Sequence, residues 1–232
     1  MVAIKGLQKT TLVDFPPYVS CTVFISTCNF RCGFCHNPEL VNDSFELDKI
    51  SEKDVLDFLD SRKKVLDGVC ITGGEPTLYP NLKGFISKIK EKGFKVKLDT
   101  NGMKPSILKE LIDEKILDYI AMDIKNSLEK YDLAAGVKVD ISRIEESIDL
   151  IRNSNVDYEF RTTVVRGMHA KEDIEKIGQM LNGSKKFAIQ NFKSAEELID
   201  PGYKKIKLFS DKELEEFKSI LGKYFGEVEV RA

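Results

Sequence analysis

Three cysteines, Cys28, Cys32 and Cys35, fall within the run CNFRCGFC, directly after an apolar stretch, Thr22-Val23-Phe24-Ile25-Ser26, that reads as a strand. Thiolates are soft ligands that select zinc, copper(I) or iron–sulfur clusters. A structural zinc ion takes four protein ligands, and this loop supplies three. On an iron–sulfur cluster, three thiolates leave one iron open to a small molecule. His36 is a poor fourth ligand because it adjoins Cys35, and neighbouring side chains seldom both reach one tetrahedral ion. Completion by Cys21 or Cys70 stays open, although Cys21 starts the first strand and Cys70 sits in Val69-Cys70-Ile71, so both read first as small core residues. A ferredoxin-type carrier brings a fourth cysteine in register, and none follows downstream here. The odd total of five cysteines, with no charged-then-apolar leader, argues against a disulfide framework.

Further polar groups recur where other apolar runs end: Gly73-Gly74-Glu75-Pro76, Asp99-Thr100-Asn101-Gly102, Asp123-Ile124-Lys125, and Arg161-Thr162-Thr163. Gly73 and Gly74 allow close backbone approach to a ligand, and Glu75 accepts hydrogen bonds from an ammonium or a sugar hydroxyl. Lys125 is a mobile point charge for a carboxylate, with Asp123 two residues away on the same side of a strand. Asp99 and Asn101 suit a ribose or a cation. Singly, each of these is an ordinary turn, cap or surface ion pair. Their repetition at successive strand ends points to one site, because parallel α/β folds gather their chemistry there.

The elements that must position these groups are short β-branched runs near 21–26, 68–72, 94–99, 118–123, 157–164 and 186–191, alternating with segments of helical period. Leu82, Phe85, Ile86 and Ile89 form one apolar helix face, and Leu214, Phe217, Ile220, Leu221 and Tyr224 another. Ser51 with Asp54, Ser142 with Glu145, and Ser210 with Glu213 read as capping pairs, and Pro105 suits a first helical turn. Six strand–helix units are fewer than a closed barrel's eight, so an α/β fold is expected, a partial (β/α)6 TIM-like barrel open on one side. A doubly wound open sheet is the alternative. Val228-Glu229-Val230 could add an edge strand, and residues 1–20 read as an extended lead-in to a single domain spanning 1–232.

Composition narrows the function. The chain has 232 residues, 42% hydrophobic and 32% charged, with a net charge of −2, so nothing in it invites nucleic acid. No apolar stretch approaches the roughly 20 residues of a membrane span, and a cytoplasmic location is expected.

The spacing C-x3-C-x2-C after a first strand, with Phe34 before the last cysteine, resembles the radical S-adenosylmethionine superfamily. The segment ITGGEPTL around Gly73, Gly74 and Glu75 is similar to that superfamily's second motif. DTNG at 99–102 and DIK at 123–125 narrow the likeness to glycyl-radical-enzyme activating proteins. The lead-in GLQKTTLVDFPPYVSCTVFISTCNFRCGFCHNPEL resembles the branch that serves anaerobic ribonucleoside-triphosphate reductase. This resemblance implies a 4Fe-4S cluster on Cys28, Cys32 and Cys35 whose open iron takes S-adenosylmethionine. Cleavage to a 5′-deoxyadenosyl radical would follow, then removal of hydrogen from a glycine of the partner enzyme. It further implies Gly73, Gly74 and Glu75 on the methionine ammonium, Lys125 on its carboxylate, and the backbone from Phe34 to His36 on the adenine side. Asp99, Thr100 and Asp123 would form a monovalent-cation site. Asn101, Ile124, Arg161 and Gln190 join the cofactor site by position. A low-potential electron donor of flavodoxin or ferredoxin type is implied as a second partner.

The sixth strand, ending in Ala188-Ile189-Gln190-Asn191-Phe192, lacks the histidine that pyruvate formate-lyase activators place nearby, and His169 reads as a loop residue. The rival readings are an activase of pyruvate formate-lyase type, a deazapurine-forming enzyme acting on a small molecule, and a non-catalytic metal-binding module with Glu75 and Lys125 on the surface.

Overall fold

The computed structural model describes residues 3–41 and 48–231. Eight strands form one sheet in the order of the chain: β1 (Ile4–Thr11), β2 (Ser20–Ile25), β3 (Gly68–Gly73), β4 (Lys95–Thr100), β5 (Tyr119–Asp123), β6 (Asp157–Val164), β7 (Lys186–Asn191) and β8 (Glu227–Arg231). β2 to β8 are parallel throughout, and β1 runs antiparallel to β2. A doubly wound sheet reverses its strand order at a switch point. No reversal occurs here, which removes that alternative. Gln8, Thr22, Thr72, Asp99, Asp123, Arg161, Gln190 and Arg231, one from each strand, line a single cavity. The sheet is therefore curled around that space, while β1 and β8 remain its two edges.

The lead-in is more than extended chain, since Ile4–Thr11 pairs with β2 as an edge strand. Its sequence hid this: Leu7 to Thr10 stay partly or fully exposed and polar residues prevail, so no apolar alternation marks it. The final alternation does become β8.

Among the described residues, eight α-helices connect the strands: α1 (Pro38–Val41), α2 (Glu52–Arg62), α3 (Leu82–Glu91), α4 (Pro105–Asp113), α5 (Tyr131–Ala135), α6 (Ile141–Arg152), α7 (Lys171–Met180) and α8 (Asp211–Leu221). Leu82, Phe85, Ile86 and Ile89 are all buried on α3, as their period requires. On α8, Leu214, Phe217 and Leu221 are buried, and Tyr224 lies past the helix end. Reciprocal capping boxes start α2 at Ser51–Asp54 and α8 at Ser210–Glu213, and Pro105 opens α4. The third expected pair is corrected. α6 starts at Ile141 behind Asp140, so Ser142 falls inside the first turn and its hydroxyl donates to Asp140 Oδ1 at 2.6 Å.

Strands alternate by face. On β4, Val96 and Leu98 join the hydrophobic core while Lys97 and Asp99 pair with each other and Asp99 lines the cavity; β6 likewise alternates Tyr158, Phe160 and Thr162 with Glu159, Arg161 and Thr163. The inner face is thus ionic, unlike the branched apolar filling of a closed barrel. Among the described residues, no helix is long and apolar enough to cross a membrane.

Candidate active site at the strand ends

The cavity, about 590 Å³, is lined mainly from β2 to β7 and the loop after β2, with Gln8, Asp14 and Arg231 added from β1, the β1–β2 connection and β8. That loop is fastened along its length. Thr27 N donates to Leu40 O at 2.6 Å, Glu75 N to Thr27 O at 2.8 Å, Arg31 N to Ala135 O at 2.7 Å, and Asp200 N to Gly33 O at 2.9 Å. Cys28, Cys32 and Cys35 are free thiols that all face the cavity. The Phe30 amide donates to Cys28 Sγ at 3.3 Å, and Asn101 Nδ2 approaches the same sulfur at 3.8 Å while donating to Asn29 Oδ1 at 2.8 Å. Burial pushes the Cys28 thiol up to about 12 and raises Cys32 and Cys35; the Lys125 ammonium pulls all three the other way.

Among the described residues, no three Cys, His, Asp or Glu side chains converge closely enough for one metal ion. Cys21 lies in the core at 0% exposure, as its flanking residues indicate, whereas Cys70, at 1% exposure, is on the other face of β3 from Val69 and Ile71 and borders the cavity. His36 Nε2 is engaged with Lys193 O at 2.6 Å, its ring near Phe192. Phe34 is buried and packs on Tyr203, with ring centroids 6.1 Å apart.

Gly73 has a φ of +116°, and a Cβ there would strike the Ile25 backbone; at Gly74 it would strike the Thr27 carbonyl. These glycines let β3 close against the cysteine loop. Glu75 follows at 1% exposure. Its Oε1 accepts from Thr77 N (3.1 Å), Thr77 Oγ1 (2.5 Å) and Thr100 Oγ1 (2.8 Å), and its Oε2 from Asn101 N (2.7 Å). Burial raises its pKa against the pull of these donors. The side chain stitches the end of β3 to the end of β4.

Across the cavity, Arg161 bridges two carboxylates, with Nε to Asp123 Oδ1 at 2.5 Å and Nη2 to Asp99 Oδ2 at 3.0 Å. Lys125 Nζ stands 3.0 Å from Asp123 Oδ2, and Lys97 Nζ 3.1 Å from Asp99 Oδ1. Although burial opposes ionisation, Arg161 and Lys125 hold Asp123 well below the usual carboxylate range. Burial likewise opposes charge on Lys125, and Asp123 keeps it protonated. Lys97, Asp99, Arg161, Asp123 and Lys125 thus form one chain of ion pairs ending at Lys125, the cation that acts on all three cysteines. A monovalent cation between Asp99 and Asp123 would compete with this guanidinium, and the Thr100 hydroxyl is turned to Glu75.

The remaining expected residues divide. Gln190 lines the cavity beside Thr163, whose hydroxyl is 3.4 Å from Gln190 Oε1. The Ile124 side chain points into the core, and its amide and carbonyl are taken by Arg161 O and Thr162 Oγ1. Asn191, Lys193, Asp14 and Arg231 also line the cavity and were not expected. Asn191 Nδ2 donates to Phe209 O at 2.9 Å, and its buried Oδ1 has no partner. Period-two alternation through Arg231 was the available signal for that residue. Glu75 and Lys125 are interior, against the requirement of a surface metal module.

Residues 22–181 match the model of the radical SAM superfamily. The chain is 34% identical over 98% of its length to a Methanocaldococcus jannaschii protein named a glycyl-radical enzyme activating enzyme, MJ1227, covering 95% of it. Pyruvate formate-lyase-activating enzyme of Clostridium pasteurianum is 32% identical over 54% of this chain and 53% of its own. In fold, Streptococcus suis SuiB bound to S-adenosylmethionine superposes with a TM-score of 0.67 at 19% identity, over 88% of this chain and 48% of SuiB. This chain thus spans about half of SuiB. Methylornithine synthase, PylB, superposes with a TM-score of 0.64 at 12% identity, over 91% of this chain and 70% of PylB. With this fold, this cysteine loop and these relatives, the chain belongs to the radical SAM superfamily, whose cofactors are a 4Fe-4S cluster and S-adenosylmethionine, and within it to the glycyl-radical enzyme activating enzymes.

Proposed function

We propose that this protein activates a glycyl radical enzyme, and that the partner is anaerobic ribonucleoside-triphosphate reductase. The observation that carries the reading is the sharing of one cavity by three thiols of a single loop and the ion-paired cluster of Lys125, Asp123, Arg161 and Asp99. Cys28, Cys32 and Cys35 would hold the cluster, three thiolates leaving one iron for the ligand. When bound, that cluster and S-adenosylmethionine supply one electron and a 5′-deoxyadenosyl radical able to take hydrogen from a glycine. The chain's own residues position and shield. Lys125, kept charged by Asp123, meets the methionine carboxylate. The Gly73-Gly74 turn brings backbone against the ammonium end, and Glu75 fixes that turn from beneath. Phe34 and His36, held by Tyr203 and Lys193 O, form the adenine side with Asn101 and Gln190 as polar neighbours. The opening between β1 and β8 suits a substrate too large to be enclosed, such as a loop of another protein. The lead-in run, which becomes β1 and the β1–β2 connection, supports the reductase as that partner. A low-potential flavodoxin or ferredoxin would supply the electron.

The test is anaerobic reconstitution with iron and sulfide, reduction, and addition of S-adenosylmethionine with the candidate partner. 5′-Deoxyadenosine and a glycyl radical signal on the reductase are expected. Competent cleavage with no such signal on the reductase overturns the partner assignment, and none on pyruvate formate-lyase either overturns the activase reading. One equivalent of zinc without iron–sulfur absorbance in oxygen-free material rejects the cluster.

A further inference from the structure

His169 belongs to the connection between β6 and α7 and is 3% exposed. Its Nδ1 accepts from Val165 N at 3.0 Å, so its ring hydrogen resides on Nε2, which lies 2.9 Å from the Lys125 carbonyl oxygen. A buried histidine satisfied at both nitrogens is commonly only a core residue. The place of this bond is what distinguishes it. The backbone ladder between β5 and β6 ends with Ile124 N donating to Arg161 O. Beyond that point side chains take over: Thr162 Oγ1 donates to Ile124 O at 2.8 Å, His169 to Lys125 O, and Asn126 Nδ2 to Met168 O at 3.2 Å. The peptide that carries Lys125 into the cavity is therefore held by an imidazole on the side away from the ligand space.

We propose that His169 is a positioning residue, whose Nε2–H fixes the Lys125 peptide so that the Lys125 ammonium stands ready for the carboxylate end of S-adenosylmethionine. The inference rests on the reading of Lys125 given above. Lys125 has a flexible four-carbon stem, so the direction in which its main chain leaves β5 decides how much of its reach falls inside the cavity. Partners one shell behind a ligand-binding group commonly change affinity about 10- to 100-fold when removed.

The two nitrogens can be separated by isosteres. His169→Asn places an amide near the Nδ1 position, retaining the acceptor for Val165 and losing the donor to Lys125. His169→Gln reaches the Nε2 position, retaining the donor and losing the acceptor. S-Adenosylmethionine affinity is read from the ligand-induced change in the reduced cluster's electron paramagnetic resonance, with iron content and Tm measured alongside. His169→Asn should keep its iron and melt near the parent protein while binding about tenfold more weakly. His169→Gln should bind within about threefold of the parent despite a lower Tm. Equal weakening in both variants, affinity that follows Tm, loss of iron in His169→Asn, or wild-type affinity in His169→Asn would overturn the proposal. Lys125→Met separates the two levels. Wild-type affinity in that variant removes the reading of Lys125, whereas weak binding there with full affinity in His169→Asn removes only the role of His169.

Discussion

Glu75 shows how a residue suited to ligand binding can serve first as a fastener. Four hydrogen bonds reach its carboxylate from Thr77, Thr100 and Asn101, and all four need an acceptor. A carboxamide supplies acceptor capacity on one atom only, so Glu75→Gln leaves at least one buried donor facing an NH2 group. That change should cost about 1–3 kcal/mol, measured as a lower urea midpoint at unchanged slope, and should weaken S-adenosylmethionine binding as the β3 and β4 ends separate. An unchanged midpoint would mean that these bonds are not formed in solution. The cysteines, and separately the glycines with Glu75, were legible in the sequence because each set falls within a few consecutive residues, after β2 and at the end of β3. Asn191 and Arg231 were not, since each ends a strand with no motif of its own, and only the register of neighbouring strands brings it to the cavity.

At the scale of elements, β8 is held by more than its ladder to β7. Arg231 forks onto Glu159 of β6, with Nη1 to Oε1 at 2.8 Å and Nη2 to Oε2 at 2.7 Å, spanning β7. Glu159 is 2% exposed, so removing Arg231 leaves a buried carboxylate with only the Tyr119 hydroxyl, 3.3 Å from Oε2, and the more distant Arg161 and Lys97 charges to offset it. Arg231→Met should destabilise by about 3–5 kcal/mol, and Glu159→Gln added to it should recover a large part of that loss. A double variant as unstable as the single one would refute the pairing. Strands and helices with an apolar stripe were readable from period alone. β1 was not, because an edge strand with one solvated side needs no hydrophobic alternation, and Ser142 misled because Asp140, two residues earlier, takes the capping position.

On the scale of the whole molecule, the strand order follows the chain without reversal, so every crossover from β2 to β8 passes to the same side and the C-terminal ends of these parallel strands gather at one mouth, while β1 runs the other way. The count of strand–helix units carried this much of the fold. It could not show that the lumen is ionic, because the inward set of Lys97, Asp99, Glu159, Arg161 and Arg231 is scattered over more than a hundred positions and becomes a network only on closure. The same scattering governs how the cysteine loop is walled in. Its inner edge rests on residues near it in the chain, but its outer edge rests on Ala135, Asp200 and Tyr203, with the Tyr203 ring packed where a Cβ on Gly33 would lie. Synthesis from the N-terminus therefore delivers the three cysteines long before the parts that enclose them, and a cluster held there as proposed would become sequestered only once the chain beyond β7 has docked. Tyr203→Ala should accordingly leave the melting temperature nearly unchanged while a chelator strips iron from the reconstituted protein faster. Equal stripping rates would place the retaining wall elsewhere.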